Sequence, residues 1–272
     1  MAGTGAGLPG IMVPVPENPE DVAVLEGAEP RSIRGGPNGV LVLHGFTGSP
    51  QSMRGVASAL GAAGFTVELP RLPGHGTSVE DMATTTFADW SEEAERTYED
   101  LAARCDQVIV VGLSMGATLA AGLAAHHPEI RGLAVINGAL APLDPAVRSG
   151  LEGALAGGVT RIPAIGNDIA QPGQTEQAYP EVPVAQLLSL LEGVDLLQRR
   201  VDEIRCPVLV IVSDQDHVVP PETSARFAAR VRGPVEQMVL ARSYHVAPLD
   251  YERAEVEARV VDFATRTSAR PA

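Results

Sequence analysis

Aromatic side chains make up only 4% of this 272-residue chain, so any core has to be packed mainly from Ala, Val and Leu. Cysteine is nearly absent too: Cys105 and Cys206 are the only two. Each stands just before an apolar stretch, and neither lies in a Cys-x-x-Cys or Cys/His cluster. That spacing argues against a zinc site and leaves reduced, half-buried thiols of a cytoplasmic protein as the expectation. Positive charge is scarce, with 20 Lys and Arg against 34 Asp and Glu, a formal net charge of −14. A field of that sign repels phosphates, so nucleic acid and anionic membranes are poor partners and a neutral small molecule is a better one. No stretch approaches the ~18 consecutive apolar residues of a membrane span. The N-terminal region has no basic residue ahead of a long apolar run, so an ordinary signal peptide is not expected.

What the chain does have is 45% hydrophobic residues, ample for one large α/β domain carrying an insertion. Residues 1–22 carry several Pro and Gly without periodicity and read as a loose arm. Short β-branched apolar runs then recur: Val40–Leu43, Phe65–Leu69, Gln107–Val111, Leu133–Asn137, Val208–Val212 and Val235–Leu240. Such runs suit strands buried on both faces. Helical patterns separate them. One opens with Ser49 as N-cap and Pro50 at the first position and runs to Ala63. Another, Thr86–Arg104, sets Trp90, Ala94, Thr97, Tyr98 and Leu101 on one face. Strands alternating with helices predict a mostly parallel sheet flanked by helices. The rhythm breaks between 139 and 205. Gly150–Gly158 is too glycine-rich to read as a helix, the following Pro-rich stretch reads as loop, and Ala185–Ile204 recovers a helical face. A break of that length predicts a cap inserted after the strand at 133–137, between core segments 23–138 and 206–272.

The chemistry centres on Gly112-Leu113-Ser114-Met115-Gly116, between the QVIVV strand and the helix-favouring ATLAAGLAAHH run. A serine on so sharp a strand-to-helix turn can lift its hydroxyl clear of the sheet, and the positions two residues either side want glycine. A serine hydroxyl needs a base near neutral pH. His126 and His127 end the following helix and read as surface. His44 and His75 lie in glycine turns that they are expected to brace, and His217 follows an acid on its own loop. His245 alone sits in the loop after the last strand, where its ring can hang over the edge toward which the serine points. The base needs a buried carboxylate. Asp214 and Asp216 both follow the VLVIV strand, and Asp216 is favoured because Val218-Val219-Pro220 would bury its contact. An oxyanion needs two backbone N–H groups. Met115 supplies one at the start of a helix, and the loop Gly45-Phe46-Thr47-Gly48 supplies the other, with Phe46 as the expected donor.

The order Ser114, Asp216, His245 with His44-Gly45-Phe46 upstream is that of the α/β-hydrolase fold. More narrowly, LVLHGFTGSPQSMR, LPRLPGHGTSVEDM, GLSMGATL, SDQDHVVPPE and SYHVAPLDYE resemble the bacterial monoacylglycerol lipases and related small carboxylesterases, from about Gly27 to Phe263. The resemblance implies Ser114 as nucleophile, Asp216 as acid, His245 as base, Phe46 and Met115 as oxyanion amides, and no metal or organic cofactor. It further implies a small-molecule acyl ester as substrate, with transient contact with lipid aggregates. Leu187 and Leu191, on the helical face within the insertion, are expected to wall an acyl chain. No residue of the insertion is recognisable as a holder of the alcohol group.

Overall fold

In a computed structural model, residues 22–269 are described; the arm expected over 1–22 lies outside them except for its last residue. Strands β1 (Arg31–Ile33), β2 (Asn38–Leu43), β3 (Thr66–Leu69), β4 (Gln107–Leu113), β5 (Gly132–Ile136), β8 (Val208–Ser213) and β9 (Val235–Leu240) form one seven-stranded sheet in the order β1-β3-β2-β4-β5-β8-β9. All neighbours are parallel except β1, which runs antiparallel on the edge beside β3. The remaining pair, β6 (Arg161–Pro163) and β7 (Glu181–Pro183), makes a separate antiparallel ribbon within the insertion.

The helices are α1 (Arg54–Ala62), α2 (Val79–Met82), α3 (Phe87–Ala102), α4 (Met115–His126), α5 (Pro145–Ala156), α6 (Val184–Gln198), α7 (Glu222–Ala228) and α8 (Arg253–Ser268). Because side chains alternate along a strand, each central strand feeds two cores. Leu41, Leu43, Val108, Val110, Leu133 and Val135 pack with Trp90, Leu119, Leu190 and Val194 under α3, α4 and α6. Val40, Val42, Ile109, Val111, Ala134 and Ile136 pack with Val56, Leu60, Val260 and Phe263 under α1 and α8. The continuous apolar runs follow from this double burial. The predicted face of α3 is the buried one: Trp90, Ala94, Thr97, Tyr98 and Leu101.

Several elements depart from the sequence reading: the stretch expected to be loop holds the β6–β7 ribbon, and the helix expected from Pro50 starts as a 3-10 turn at Pro50–Met53 before α1. The glycines of Gly150–Gly158 argue against a helix, yet α5 covers much of the stretch. Its start is strongly specified: the Asp144 carboxylate accepts from Ala146 N at 2.7 Å and Pro145 takes the first position. Good ends and several Ala and Leu outweigh a cost of roughly 1 kcal/mol for each interior glycine. Strand β1 has three residues and one aliphatic side chain, so no period announces it; it exists by pairing with β3, aided by a Ser32–Glu68 side-chain bond of 2.6 Å. The helix expected over Ala185–Ile204 breaks at Gln198 into a separate 3-10 turn at Val201–Glu203.

Register brings the loops to one edge. Leu43 pairs with Gly112, Leu113 with Ile136, Ile136 with Ile211 and Ser213 with Leu240. The carboxyl ends of β2, β4, β5, β8 and β9 are therefore level. The loops that leave them share one rim, the place where an open parallel sheet offers a binding crevice.

Candidate active site

Ser114 follows β4 directly and precedes α4 with φ 55° and ψ −117°. A non-glycine residue in that region is strained by roughly 1–3 kcal/mol and persists only when its surroundings hold it. Here they do: Ser114 N donates to Ile136 O at 3.0 Å, and Ser114 O accepts from Ala117 N at 3.0 Å and Ala139 N at 3.2 Å. The flanking glycines are required by close approach. A Cβ on Gly112 would stand 2.1 Å from Gly116 O, and one on Gly116 would stand 2.3 Å from Leu43 O. The strained turn thus lies directly against the end of β2.

That contact also delivers the glycine loop. A Cβ on Gly45 would lie 3.4 Å from Ser114 Cβ and 4.0 Å from its Oγ, so the backbone of 45–46 passes beside the hydroxyl. Met115 opens α4, so its amide has no acceptor within the helix and carries the positive end of the helix dipole. Phe46 is fixed from behind by rings: Trp90 at 5.5 Å and His75 at 6.3 Å between centroids, both edge-on.

His44 and His75 are buried and neutral. Burial pushes His44 down to about 4 and His75 to about 3, with Arg71 acting in the same direction. The Nδ1–H of His44 faces Gly45 O at 2.9 Å while its Nε2 accepts from Leu72 N at 3.2 Å, so it ties the glycine loop to the loop after β3. His75 Nδ1 meets Pro73 O at 2.9 Å inside its own turn. Both brace turns, as their sequence positions predict. His126 is exposed. His127, read as plain surface, is instead only 15% exposed in its side chain and sits between Glu95 and Glu129. Neither is near the rim, since both end α4 at its far side.

The structure brings His245 and Asp216 together. His245 Nδ1 lies 2.8 Å from Asp216 Oδ2, with side-chain exposures of 9% and 1%. The other carboxylate oxygen of Asp216 accepts from Val218 N and Val219 N, each at 2.8 Å, which is the burial its apolar turn predicts. Asp214 is exposed and has no such role. The main chain of His245 is held on both sides: its N–H donates to Asp168 Oδ2 at 3.0 Å, and its carbonyl accepts from Asn137 Nδ2 at 2.7 Å. Asn137, in a left-handed conformation at φ 44°, also binds Ser213 through both ends of its amide.

Leu191 is buried and Leu187 half-buried, on α6. Leu187 packs against the α3–α4–α6 core, whereas Leu191 belongs to neither core cluster. One group of note carried no signal in the sequence. Glu176, in the loop between β6 and β7, reaches the glycine loop so closely that a Cβ on Gly48 would stand 2.7 Å from its Oε1. Burial of the carboxyl raises it to about 7, against the opposing pull of His245 and the Ser52 hydroxyl. Nothing in the local pattern could have found it, because its meaning comes from contacts across more than a hundred residues of chain. Among the described residues no three His, Cys, Asp or Glu side chains are arranged to hold a metal ion, and no helix is long and apolar enough to cross a membrane.

Comparison with known proteins agrees with this fold. The profile of the alpha/beta hydrolase family matches residues 40–259. The chain is 45% identical over 246 residues to a thermostable monoacylglycerol lipase of Bacillus sp. strain H-257, covering 90% of this chain and 97% of that one. It is 26% identical to a carboxylesterase of Bacillus subtilis strain 168, over 86% of this chain and 95% of the relative. Among solved structures, one from a study of the metagenome-derived lipolytic enzymes LipS and LipT superposes with a TM-score of 0.84 at 38% identity, covering 90% of this chain and all of that one. A serine held on a strained turn at the rim, a histidine–carboxylate pair on loops of the same rim and these likenesses lead to one family: the chain belongs to the alpha/beta hydrolases, among the carboxylic ester hydrolases.

Proposed function

We propose that this chain hydrolyses monoacylglycerols and related neutral fatty-acyl esters through an acyl-enzyme formed on Ser114. His245 takes the proton of the Ser114 hydroxyl as it attacks the ester carbonyl, and Asp216 holds the imidazole by Nδ1 and stabilises the imidazolium that forms. The amides of Phe46 and Met115 receive the negative charge of the tetrahedral oxygen, each worth roughly 10²–10³ in rate. His245 then gives its proton to the leaving alcohol and activates water against the acyl-enzyme. Residues 139–205 act as a cap over the core segments 23–138 and 206–272, with Leu191 against the acyl chain.

The observation that carries the alcohol side is Glu176. A carboxyl raised to about 7 is half protonated near neutrality, so it can accept from or donate to a free hydroxyl of a glycerol head beside Gly48. A triacylglycerol, with all three glycerol positions esterified, offers no such hydroxyl. The reading includes a cytoplasmic location, resting on two unpaired thiols and an acidic composition, and only transient contact with lipid aggregates.

The test is a hydrolysis panel of monoacylglycerols, triacylglycerols, p-nitrophenyl esters and acyl thioesters of matched chain length, run beside Glu176→Gln and Glu176→Ala. Monoacylglycerol is expected to be the best oxygen ester, and Glu176→Ala is expected to lower kcat/KM on it about 10-fold or more while sparing p-nitrophenyl esters, which have no head group. Preference for thioesters, or equal losses on both ester types, would overturn the assignment of the alcohol site.

A further inference from the structure

The sequence motif SYHVAPLDYE and the acid turn SDQDHVVPPE come from loops after different strands, β9 and β8. For His245 to meet Asp216, the two loops must be fixed relative to each other. Some of the bonds that do this run directly, as from the Ser213 hydroxyl to Tyr244 O at 2.9 Å, and some run through Asn137. A further set runs through the insertion and reaches residues 217 and 245, on either side of the acid–base contact.

Asp168 lies in the loop between β6 and β7 and is buried, at 9% exposure. Its Oδ2 accepts two backbone N–H groups, His217 N at 3.2 Å and His245 N at 3.0 Å. One oxygen atom thus binds the residue after the acid and the base itself. Its Oδ1 meets His217 Nδ1 at 2.8 Å. Its own carbonyl accepts from Val246 N at 3.1 Å. The residue is therefore stapled at side chain and main chain to 245–246, and by both carboxylate oxygens to 217. A second carboxylate fixes the next residues of the same loop. Asp250, fully buried, accepts from Ala170 N at 2.7 Å and Gln171 N at 2.9 Å, and from Tyr244 N at 2.8 Å and Tyr251 N at 2.7 Å.

Nothing in the ordinary chemistry of an ester hydrolase asks for Asp168. It does not touch the imidazole ring of His245 or the carboxyl of Asp216, and Val218, Val219 and Asn137 already satisfy other parts of the same loops. What it adds is a link between residue 217 and residue 245 themselves, nearer the acid–base contact than the Ser213–Tyr244 bond. The structure assigns Asp168 as a positioning residue that sets the distance between the acid turn and the histidine loop, so that the insertion completes the reacting geometry as well as covering it. The assignment rests on the reading of Ser114, Asp216 and His245 as the reacting residues. Its physical logic is that of proximity: a displacement of about 1 Å at a reacting pair can cost on the order of 10²-fold in rate. Two amides released from a buried acceptor leave both loops free to shift by that much.

The consequence separates acceptor from charge. Asn keeps an oxygen in place of Oδ2 for the two amides and loses the charge and the second acceptor, the one facing His217 Nδ1, whereas Ala removes both acceptors. In the full-length protein, Asp168→Ala is expected to lower kcat on p-nitrophenyl butyrate about 100-fold with KM within about threefold, because binding lies elsewhere. Asp168→Asn is expected to return to within about fivefold of the parent. Active sites are counted by titration with an alkyl fluorophosphonate, so that kcat refers to folded, reactive enzyme. The low-field proton NMR resonance of the His245 Nδ1–H facing Asp216 should broaden or disappear in Asp168→Ala and persist in Asp168→Asn. If Asp168→Ala fails to fold, Asp168→Ser replaces it, being too short to reach both amides, and must show the same loss. Unchanged kcat per titrated site in Ala or Ser, an intact low-field resonance, or an Asn variant as poor as Ala would each overturn the proposal. Ser114→Ala, run alongside, tells the two readings apart: activity there removes the assignment of the nucleophile, whereas its absence together with a normal Asp168→Ala removes only the role of Asp168.

Discussion

Two helices of equal length mark the extremes of this molecule. Helix α4, which carries Met115, has twelve residues, ten of them buried; α5, in the insertion, also has twelve and buries none. The first is clamped between the sheet and α3 and α6, so its N-terminus cannot move without opening the core. The second touches the rest through α6, by an Arg148–Asp195 ion pair among other contacts, and leaves Val147 52% exposed. Reaction geometry needs the first condition, because a strained serine keeps its conformation only in a packed frame. Between these extremes, the loop of Asp168, Glu176 and Tyr179 is neither buried helix nor free arm. It is tied to the rim by carboxylates and by Tyr179, whose N–H donates to Thr47 O at 3.1 Å and whose hydroxyl donates to Gly74 O at 2.8 Å. The insertion therefore has a fixed foot and a loose upper part.

The sharpest way to break this division is at the acid turn, on the packed side. Asp216→Asn is expected to lower kcat by about 10³–10⁴-fold, since the imidazole loses its orienting carboxylate. Asp214→Asn, two residues away and exposed, is expected to stay within about threefold, as surface substitutions generally do. Steady-state kinetics on one short p-nitrophenyl ester suffice. Equal losses, or the reverse order, would mean that the turn works as a whole and that the buried pair is not what matters.

A smaller effect is expected on the loose side, and it divides Leu187 from Leu191. Leu187 packs on the main core, so Leu187→Ala should lower stability by about 2 kcal/mol or more and leave the ratio of long-chain to short-chain kcat/KM alone. Leu191 is buried at 8% yet belongs to neither core cluster. Leu191→Ala should lower that ratio by a factor equivalent to about 1–3 kcal/mol of transition-state binding. If both variants lose only stability, α6 is scaffold throughout and chain length is selected by the loops around Phe46 and His75.

The same contrast explains what could be read from the sequence. The sheet was legible because each central strand feeds two cores and so appears as an unbroken β-branched run. The serine turn was legible because its glycines are demanded by backbone contacts of near 2 Å, which no other residue can meet. The pairing of His245 with Asp216 followed from loop order and from the apolar Val218-Val219-Pro220 turn. What escaped was of two kinds. Helix α5 is hard to read because its interior glycines argue against a helix over the whole stretch, while the signal for one is confined to its start, Asp144-Pro145. Glu176, Asp168 and Asn137 were missed for a deeper reason: a polar residue in a Pro-rich loop or at a strand end has no period. Asp168 acquires its partners 49 and 77 positions away, and only the folded chain shows them.

The least effect, and the most direct measure of how loose α5 is, comes from three glycines that sit in open space. A Cβ added at Gly122 in α4, or at Gly150 or Gly153 in α5, meets nothing within 4 Å. By helix propensity alone each Gly→Ala change should stabilise its helix by about 0.5–1 kcal/mol. Where that gain appears depends on whether the helix opens with the core or before it. Gly122→Ala belongs to a buried helix, so the gain should raise the global Tm by about 2 °C. The double variant Gly150→Ala/Gly153→Ala stabilises a helix that buries nothing and can open alone, so Tm should change by less than about 1 °C. Its gain should appear instead as amide hydrogen exchange within 145–156 slowed by about 5–30-fold, the factor that about 1–2 kcal/mol represents. A Tm rise in the double variant equal to or larger than that of Gly122→Ala would place α5 in the same cooperative unit as α4, and the idea of a loose upper part on a fixed foot would fail.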